Sequence, residues 1–327
     1  MTIAMHGYPA TTGADIDPAQ AMKERMIMET NAGINKDGVD PTHRIVVGVD
    51  GSEHSMAALE WAAIQAQRTG VALEIVAAFG SGYQFLSRSE ADQCMQNDVA
   101  EAIVRAQKLA PGVDITSTTF EGPPETVLTK QGAGADLLVV GSRGRGGFKC
   151  LLLGSVSRKC VHRASCPVVV VAQPRPGTNA LMSEQDERSH RIVVGIDGSP
   201  SSIAGLEWAG NQAELTGASL EVLMTWEWLT GYGWSPIDPD FDQERVCQTA
   251  LSDHLKPIRD AHPGISIQPA AIEGHPAPLL VEASEGADLL VVGSRGHGEF
   301  VGVLLGSVSE HCVTNAHCPV LVLHDGK

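Results

Sequence analysis

Gly134-Ala-Asp-Leu-Leu-Val-Val-Gly141-Ser142-Arg143-Gly144 returns letter for letter as Gly286-Ala-Asp-Leu-Leu-Val-Val-Gly293-Ser294-Arg295-Gly296. Each copy is followed, at the same spacing, by Gly-Ser-Val-Ser: Gly154-Ser155-Val156-Ser157 and Gly306-Ser307-Val308-Ser309. The short Leu/Val run reads as a buried strand, the glycines as a loop, and the Gly-Ser pair as the opening of a helix. That sequence of elements can hold phosphate. Glycine lets backbone N–H groups come close to an anion, and a helix start offers unpaired donors at the positive end of its dipole.

Working outward, residues 45–49 are a β-branched run ending in Asp50-Gly51-Ser52, which combines turn and N-cap chemistry. A helix follows, with Met56, Leu59, Ala62 and Ala63 on one face and Gly70 as its stop. Strands are then expected at 73–79, 113–120, 136–140 and 167–172, with helices at 91–109, 125–131 and 156–163. Strand and helix alternate, which calls for a parallel sheet covered on both faces through right-handed crossovers. In such a sheet ligands lie at the carboxyl ends of the strands, where the strand order reverses. Asp50 and Gly141 mark those ends.

The whole pattern restarts at Arg191-Ile-Val-Val-Gly195-Ile-Asp197-Gly-Ser199, and Leu206-Glu-Trp-Ala echoes Leu59-Glu-Trp-Ala. Asp50 and Asp197 are 147 apart, whereas Gly141 and Gly293 are 152 apart, so five extra residues lie between positions 222 and 272. The Trp-rich stretch 226–234 is the natural place for them. The chain is thus a tandem duplication: a flexible extension at 1–42, a first domain at 43–173, a linker at 174–190 and a second domain at 191–325. A short helix is expected within the extension, at 18–29. A repeat of this length is a whole domain, since solenoid units run to roughly 20–50 residues.

The 327 residues carry a net charge of −16 and a pI near 5.1, which weighs against binding to nucleic acid or to an anionic membrane surface. No apolar run reaches the ~18 residues of a membrane span, and 1–10 lacks the basic and apolar regions of a signal peptide. Seven cysteines make no disulfide scaffold. A cytoplasmic location is expected.

Both halves resemble the universal stress protein family in its tandem form, through Gly-x2-Gly-x9-Gly-Ser. Gly141, Gly144, Gly154 and Ser155 meet that pattern, as do Gly293, Gly296, Gly306 and Ser307. The resemblance implies five parallel strands per domain in the order 3-2-1-4-5, and dimer-like pairing of domains through the fifth strands; residue order leaves open whether that pairing is within one chain or across two, with intrachain pairing and a homodimer expected. It also implies ATP binding, two nucleotides per chain with Mg2+ as an optional companion, and a role in stress adaptation or growth arrest through a regulatory protein partner. Carried over residue by residue, Gly48 and Asp50 would meet the adenine or ribose. Gly141, Ser142, Arg143, Gly144, Arg145, Gly146 and Gly147 would wrap ribose and phosphates, with Gly154, Ser155 and Val156 giving donors to the phosphates. The second copy would use Gly195, Asp197, Gly293, Ser294, Arg295, Gly296, His297, Gly298, Gly306, Ser307 and Val308.

Competing readings exist for several of these residues. Asp50 and Asp197 also suit simple helix capping. Arg143 and Arg295 suit solvated loop positions. Cys160, Cys166, Cys312 and Cys318, with His162 and His317, invite a zinc reading, but no cluster completes four ligands, so buried structural thiols are expected. The acidic run 238–244 begins like a calcium loop but lacks its glycine and terminal glutamate. Trp226, Trp228 and Trp234 suit either a partner patch or sheet-edge packing. The first loop has Arg145 and Lys149 where the second has His297 and Val301, and the second has Glu299 where the first has Gly147, so the second site is expected to bind a triphosphate more weakly. Neither a P-loop nor a nucleophile elbow is present, so nucleotide as a regulatory ligand is expected, with slow hydrolysis at most. The alternatives are a nucleotide-independent scaffold using the fifth strands and the Trp stretch, or a weak ATPase.

Overall fold

The computed structural model describes residues 43–79, 88–145, 152–172, 190–227, 242–296 and 305–324. The 1–42 extension with its expected helix, and the 174–189 part of the linker, lie outside the described residues. The first half runs β1 (Arg44–Val49), α1 (Glu53–Thr69), β2 (Ala72–Phe79), α2 (Arg88–Leu109), β3 (Ile115–Glu121), α3 (Pro124–Gln131), β4 (Leu137–Gly141), α4 (Ser155–Arg163) and β5 (Val168–Val171). The second runs β6 (Arg191–Gly195), α5 (Pro200–Thr216), β7 (Ser219–Trp226), α6 (Gln243–Ala261), β8 (Ile267–Glu273), α7 (Pro276–Ala283), β9 (Leu289–Gly293), α8 (Ser307–Asn315) and β10 (Val320–Leu323).

Every expected strand and helix between 43 and 172 is present, with ends shifted by a few residues. Gly141 belongs to β4, and α2 begins at Arg88, in what reads from sequence as loop. Local chemistry explains several boundaries. The Ser52 hydroxyl accepts from the Ser55 N–H at 3.3 Å and starts α1, and Gly70, at φ 71°, stops it in the left-handed conformation. Ser199 and Gly217 do the same for α5. The 147-residue offset holds from Ala72 to Ser219, and the 152-residue offset from Ile115 to Ile267. The five extra residues therefore enter between the starts of those strands.

The strands form one sheet of ten in the order β3-β2-β1-β4-β5-β10-β9-β6-β7-β8. Each half is parallel in the order 3-2-1-4-5. The halves join where β5 meets β10 antiparallel, Val169 opposite Leu321. Two edges that would otherwise template association cover each other inside the chain. The fifth strands are thus already occupied, which removes them from the scaffold reading. One core layer contains Ile45, Val47, Leu59 and Ala106 with Ile192, Val194 and Leu206. The other contains Val46, Leu128, Leu138 and Cys160 with Val193, Leu280, Leu290 and Cys312. Alternate residues of each central strand enter opposite layers, as a sheet sandwiched by helices requires.

Two further contacts mark the approximate two-fold relation between the halves. Gln65 on α1 and Gln212 on α5 occupy equivalent positions, are 4% and 6% exposed, and exchange hydrogen bonds of 2.7 and 2.9 Å. Arg158 on α4 and Glu310 on α8 are also equivalent, and they form an ion pair at 3.1 Å. No helix among the described residues is long and apolar enough to cross a membrane.

Candidate functional site

β6 lies between β7 and β9, so the chain order reverses beside it. At the carboxyl ends of these strands opens a cavity of about 550 Å3, within the usual range of roughly 300–1,000 Å3 for ligand pockets. Ile196, Leu223, Leu280 and Val292 give it an apolar part. Asp197 comes from the end of β6, Arg295 and Gly296 from the loop after β9, and Ser307 and Val308 from the first turn of α8. Of the residues expected from sequence, Gly195, Asp197, Gly293, Arg295, Gly296, Gly306, Ser307 and Val308 converge on this space. Ser294 does not line it, being 1% exposed with its N–H given to the Leu323 carbonyl at 2.6 Å. Gly146, Gly147, His297 and Gly298, and Lys149 and Glu299 with them, lie outside the described residues.

Sequence reasoning missed the apolar wall. Leu223 and Thr225 lie in the C-terminal half of the strand next to β6, and Pro276 and Leu280 belong to the helix packed over it. Their positions relative to the reversal in strand order were the available signal, because every strand flanking that point must contribute its last residues to the crevice.

The aspartates do more than cap. Ser52 is the N-cap of α1, and Asp50 buttresses it. Asp50 Oδ1 accepts from the Ser52 N–H at 3.0 Å and the Ser52 hydroxyl at 2.6 Å, while Oδ2 accepts from the Arg145 N–H at 3.0 Å. One carboxylate thus ties the end of β1 to a loop 95 residues later. Asp197 Oδ1 likewise accepts from the Ser199 N–H at 2.9 Å. This explains Gly144 and Gly296. A Cβ at either would lie 2.4 Å from the Oδ2 of Asp50 or Asp197. Space, not backbone angle, demands glycine there, since neither has a positive φ.

Gly48 and Gly141 have packing reasons that the ligand reading overlooked. A Cβ on Gly48 would meet Leu128 of α3 at 2.8 Å, and Gly195 stands in the same relation to Leu280 of α7. A Cβ on Gly141 would come within 2.6 Å of the His54 carbonyl, so glycine lets the start of α1 lie against the end of β4.

The starts of α4 and α8 are built alike. Gly154 and Gly306 are extended N-caps, at φ −74° and −72°, and neither helix receives a side-chain cap. Their own N–H groups go to the carbonyls of Ser142 and Ser294, both at 2.7 Å. One turn on, the Ser157 hydroxyl donates to the Gly141 carbonyl at 2.6 Å, and Ser309 to Gly293 at 2.5 Å. Each helix is therefore pinned to the end of its preceding strand, with its first turn at the crevice. Ser155 and Ser307 are exposed there.

The halves differ in electrostatics. The Arg143 Nε donates to His54 Nε2 at 3.1 Å. Burial, reinforced by the Arg143 charge, lowers the His54 pKa below the ordinary imidazole value, consistent with a neutral ring accepting at Nε2. In the second half Ser201 replaces His54 and donates to the Arg295 carbonyl at 2.9 Å. The Arg145 guanidinium, expected on phosphate, lies on Asp98 of α2 at 2.6 Å.

The remaining candidates resolve as structure. Cys160, Cys166, Cys312 and Cys318 are buried, and burial pushes their thiols up to about 12, 11, 12 and 12. They fill the core beneath α4 and α8, the setting of inert rather than reactive or metal-binding thiols. Asp242 caps α6, accepting from the Arg245 N–H at 3.0 Å, whereas 238–241 lie outside the described residues. Trp226 packs, half-buried, against the core, and Trp228 and Trp234 are outside the described residues.

Comparison with known proteins bears directly on this arrangement. The model of the universal stress protein family matches residues 41–172 and again 188–324. A universal stress protein of Mycobacterium tuberculosis is 33% identical over 309 residues, covering 85% of this chain and 94% of that protein. The crystal structure of a universal stress protein from Archaeoglobus fulgidus shares the fold at a TM-score of 0.65 and 21% identity, covering 88% of this chain and all of that one. A universal stress protein solved in complex with cAMP is 28% identical over 42% of this chain and 98% of its own, with a TM-score of 0.33. With the model matched twice, on halves that share one sheet order, the chain belongs to the universal stress protein family.

Proposed function

We propose that each half binds ATP at the crevice where its strand order reverses, and that occupancy signals nucleotide state to a partner that adjusts stress adaptation or growth. The observation that carries this is the second-half cavity. Its apolar wall suits a purine, Asp197 suits ribose hydroxyls, and the first turn of α8 suits phosphates, all within one space of about 550 Å3. In this reading Ile196, Leu223 and Leu280 flank the base, and Gly296, Ser307 and Val308 receive the phosphates. The first half offers the same pieces at Asp50, Gly144, Ser155 and Val156. Mg2+ would accompany the phosphates through their own oxygens, since no group of three or more His, Cys, Asp or Glu among the described residues is placed to hold a metal.

The test is mass spectrometry of denatured, freshly purified protein, followed by calorimetric titration with ATP. Adenine nucleotide should be carried through purification, with up to two ATP per chain, and first-site binding should be lost on Asp50→Ala with Gly144→Ala. Absence of nucleotide together with no heat at millimolar ATP would end this reading.

A further inference from the structure

Beyond the exchange of His54 for Ser201, the two halves differ beside the aspartate that follows their first strand. Arg145 follows the glycine that touches Asp50, and its backbone N–H is fixed on that carboxylate at 3.0 Å. Its guanidinium pairs with Asp98 of α2 at 2.6 Å, where Asp98 is only 15% exposed. The pair lies directly over Gly51. A Cβ there would meet the Arg145 guanidinium at 2.1 Å and the Asp98 carboxylate at 2.5 Å. In the second half the residue equivalent to Asp98 is Ala250. The equivalent of Gly51, Gly198, lines with Ala250 a crevice of about 380 Å3 that shares Asp197 and Thr225 with the lining of the main cavity. Among the described residues, an ion pair thus stands in the first half where a crevice lies in the second.

Resting on the nucleotide reading above, we propose that Asp98 is an autoinhibitory carboxylate. It holds Arg145 over Gly51, beside the first site, and a polyphosphate ligand must take the guanidinium from it before that cation can serve. A guanidinium matches carboxylate and phosphate through the same donor geometry, so the two anions compete for one fork. The first half, richer in cations by sequence, is therefore the half restrained from using them, and the second half has no carboxylate at the position of Asp98. Ligands without phosphate gain nothing from displacing Asp98, so the restraint acts on phosphate charge and leaves recognition of the base untouched.

The experiment is a double-mutant cycle on the full chain, in a Gly296→Ala background that disables the second site through its clash with Asp197. Asp98→Asn should tighten ATP about three- to tenfold at low salt, with the gain shrinking at about 0.5 M salt. Adenosine affinity should stay level, and the gain should vanish when Arg145→Gln is added. Asp98→Ala, which copies Ala250, should repeat the result, and melting temperatures report that each variant is folded. A gain that persists with Arg145→Gln would mean simple removal of a negative charge and overturns the proposal. ATP binding that ignores Asp98 overturns it alone. No ATP binding by any variant, or by the parent chain with both sites intact, overturns it together with the nucleotide reading.

Discussion

Ser307→Pro separates phosphate recognition from folding. Ser307 is the first residue of α8, behind an N-cap, Gly306, at φ −72° and ψ 155°. Proline suits that position. Its ring sets the helical φ, the missing N–H has no partner within the helix, and the preceding residue must be extended, as Gly306 is. The chain contains its own precedent: α5 begins with Pro200 behind Ser199 at φ −67° and ψ 153°. The substitution should therefore change stability by less than about 0.5 kcal/mol. It removes one N–H and one hydroxyl from the wall assigned to phosphate. A hydrogen bond to a charged group contributes about 1.5–3 kcal/mol, so ATP should bind roughly 10- to 150-fold more weakly at the second site. Adenosine, lacking phosphate, should bind as before. Calorimetry with both ligands, alongside a thermal melt, reads all three quantities, and Ser155→Pro repeats the test in the first half. A folded Ser307→Pro protein with unchanged ATP affinity would refute the placement of phosphate at the start of α8.

Other expectations concern the joint between the halves and its core. Gln65→Leu strands the buried Gln212 amide and should cost about 2–4 kcal/mol in urea unfolding, whereas adding Gln212→Leu should recover most of the loss; purely additive losses would show that the two amides act separately. Glu310→Arg places two arginines together and should cost about 0.5–1 kcal/mol, restored when Arg158→Glu reverses the pair; a melt showing no rescue would count against that pairing. The raised thiol pKa values of Cys160, Cys312 and Cys318, near 12 against an ordinary value of 9, mean that the folded chain keeps protons the unfolded chain releases. Stability contributed by these thiols is therefore present below about pH 9 and falls as pH rises above it. Cys312→Ala should show a shallower alkaline decline in urea midpoint than the parent, and identical slopes would contradict the burial argument.

Much of the site was legible from residue order, and the exceptions have physical causes. Asp197, Gly296 and Ser307 could be placed together because a doubly wound sheet brings the ends of its central strands to one crevice. The reason for each glycine was harder to read. Gly144 and Gly296 make room for an aspartate supplied by another strand, and Gly48 makes room for Leu128 of a helix, contacts that no local pattern encodes. Leu223 and Leu280 look in sequence like any other core residues.

The duplicated strand–glycine loop–helix text by itself determined the fold class, the two halves and which strand ends meet at the candidate crevice. Short buried strands and helix caps are set by periodicity and local hydrogen bonding, which a sequence displays directly. Tertiary structure alone decided the partners of the charged side chains. Arg143 lies on His54, and Arg145 on Asp98. It also decided that the β5 and β10 edges meet inside one chain, through residues more than a hundred positions apart. Charges act through space, so which carboxylate an arginine meets is fixed only when distant helices have been packed against the same sheet.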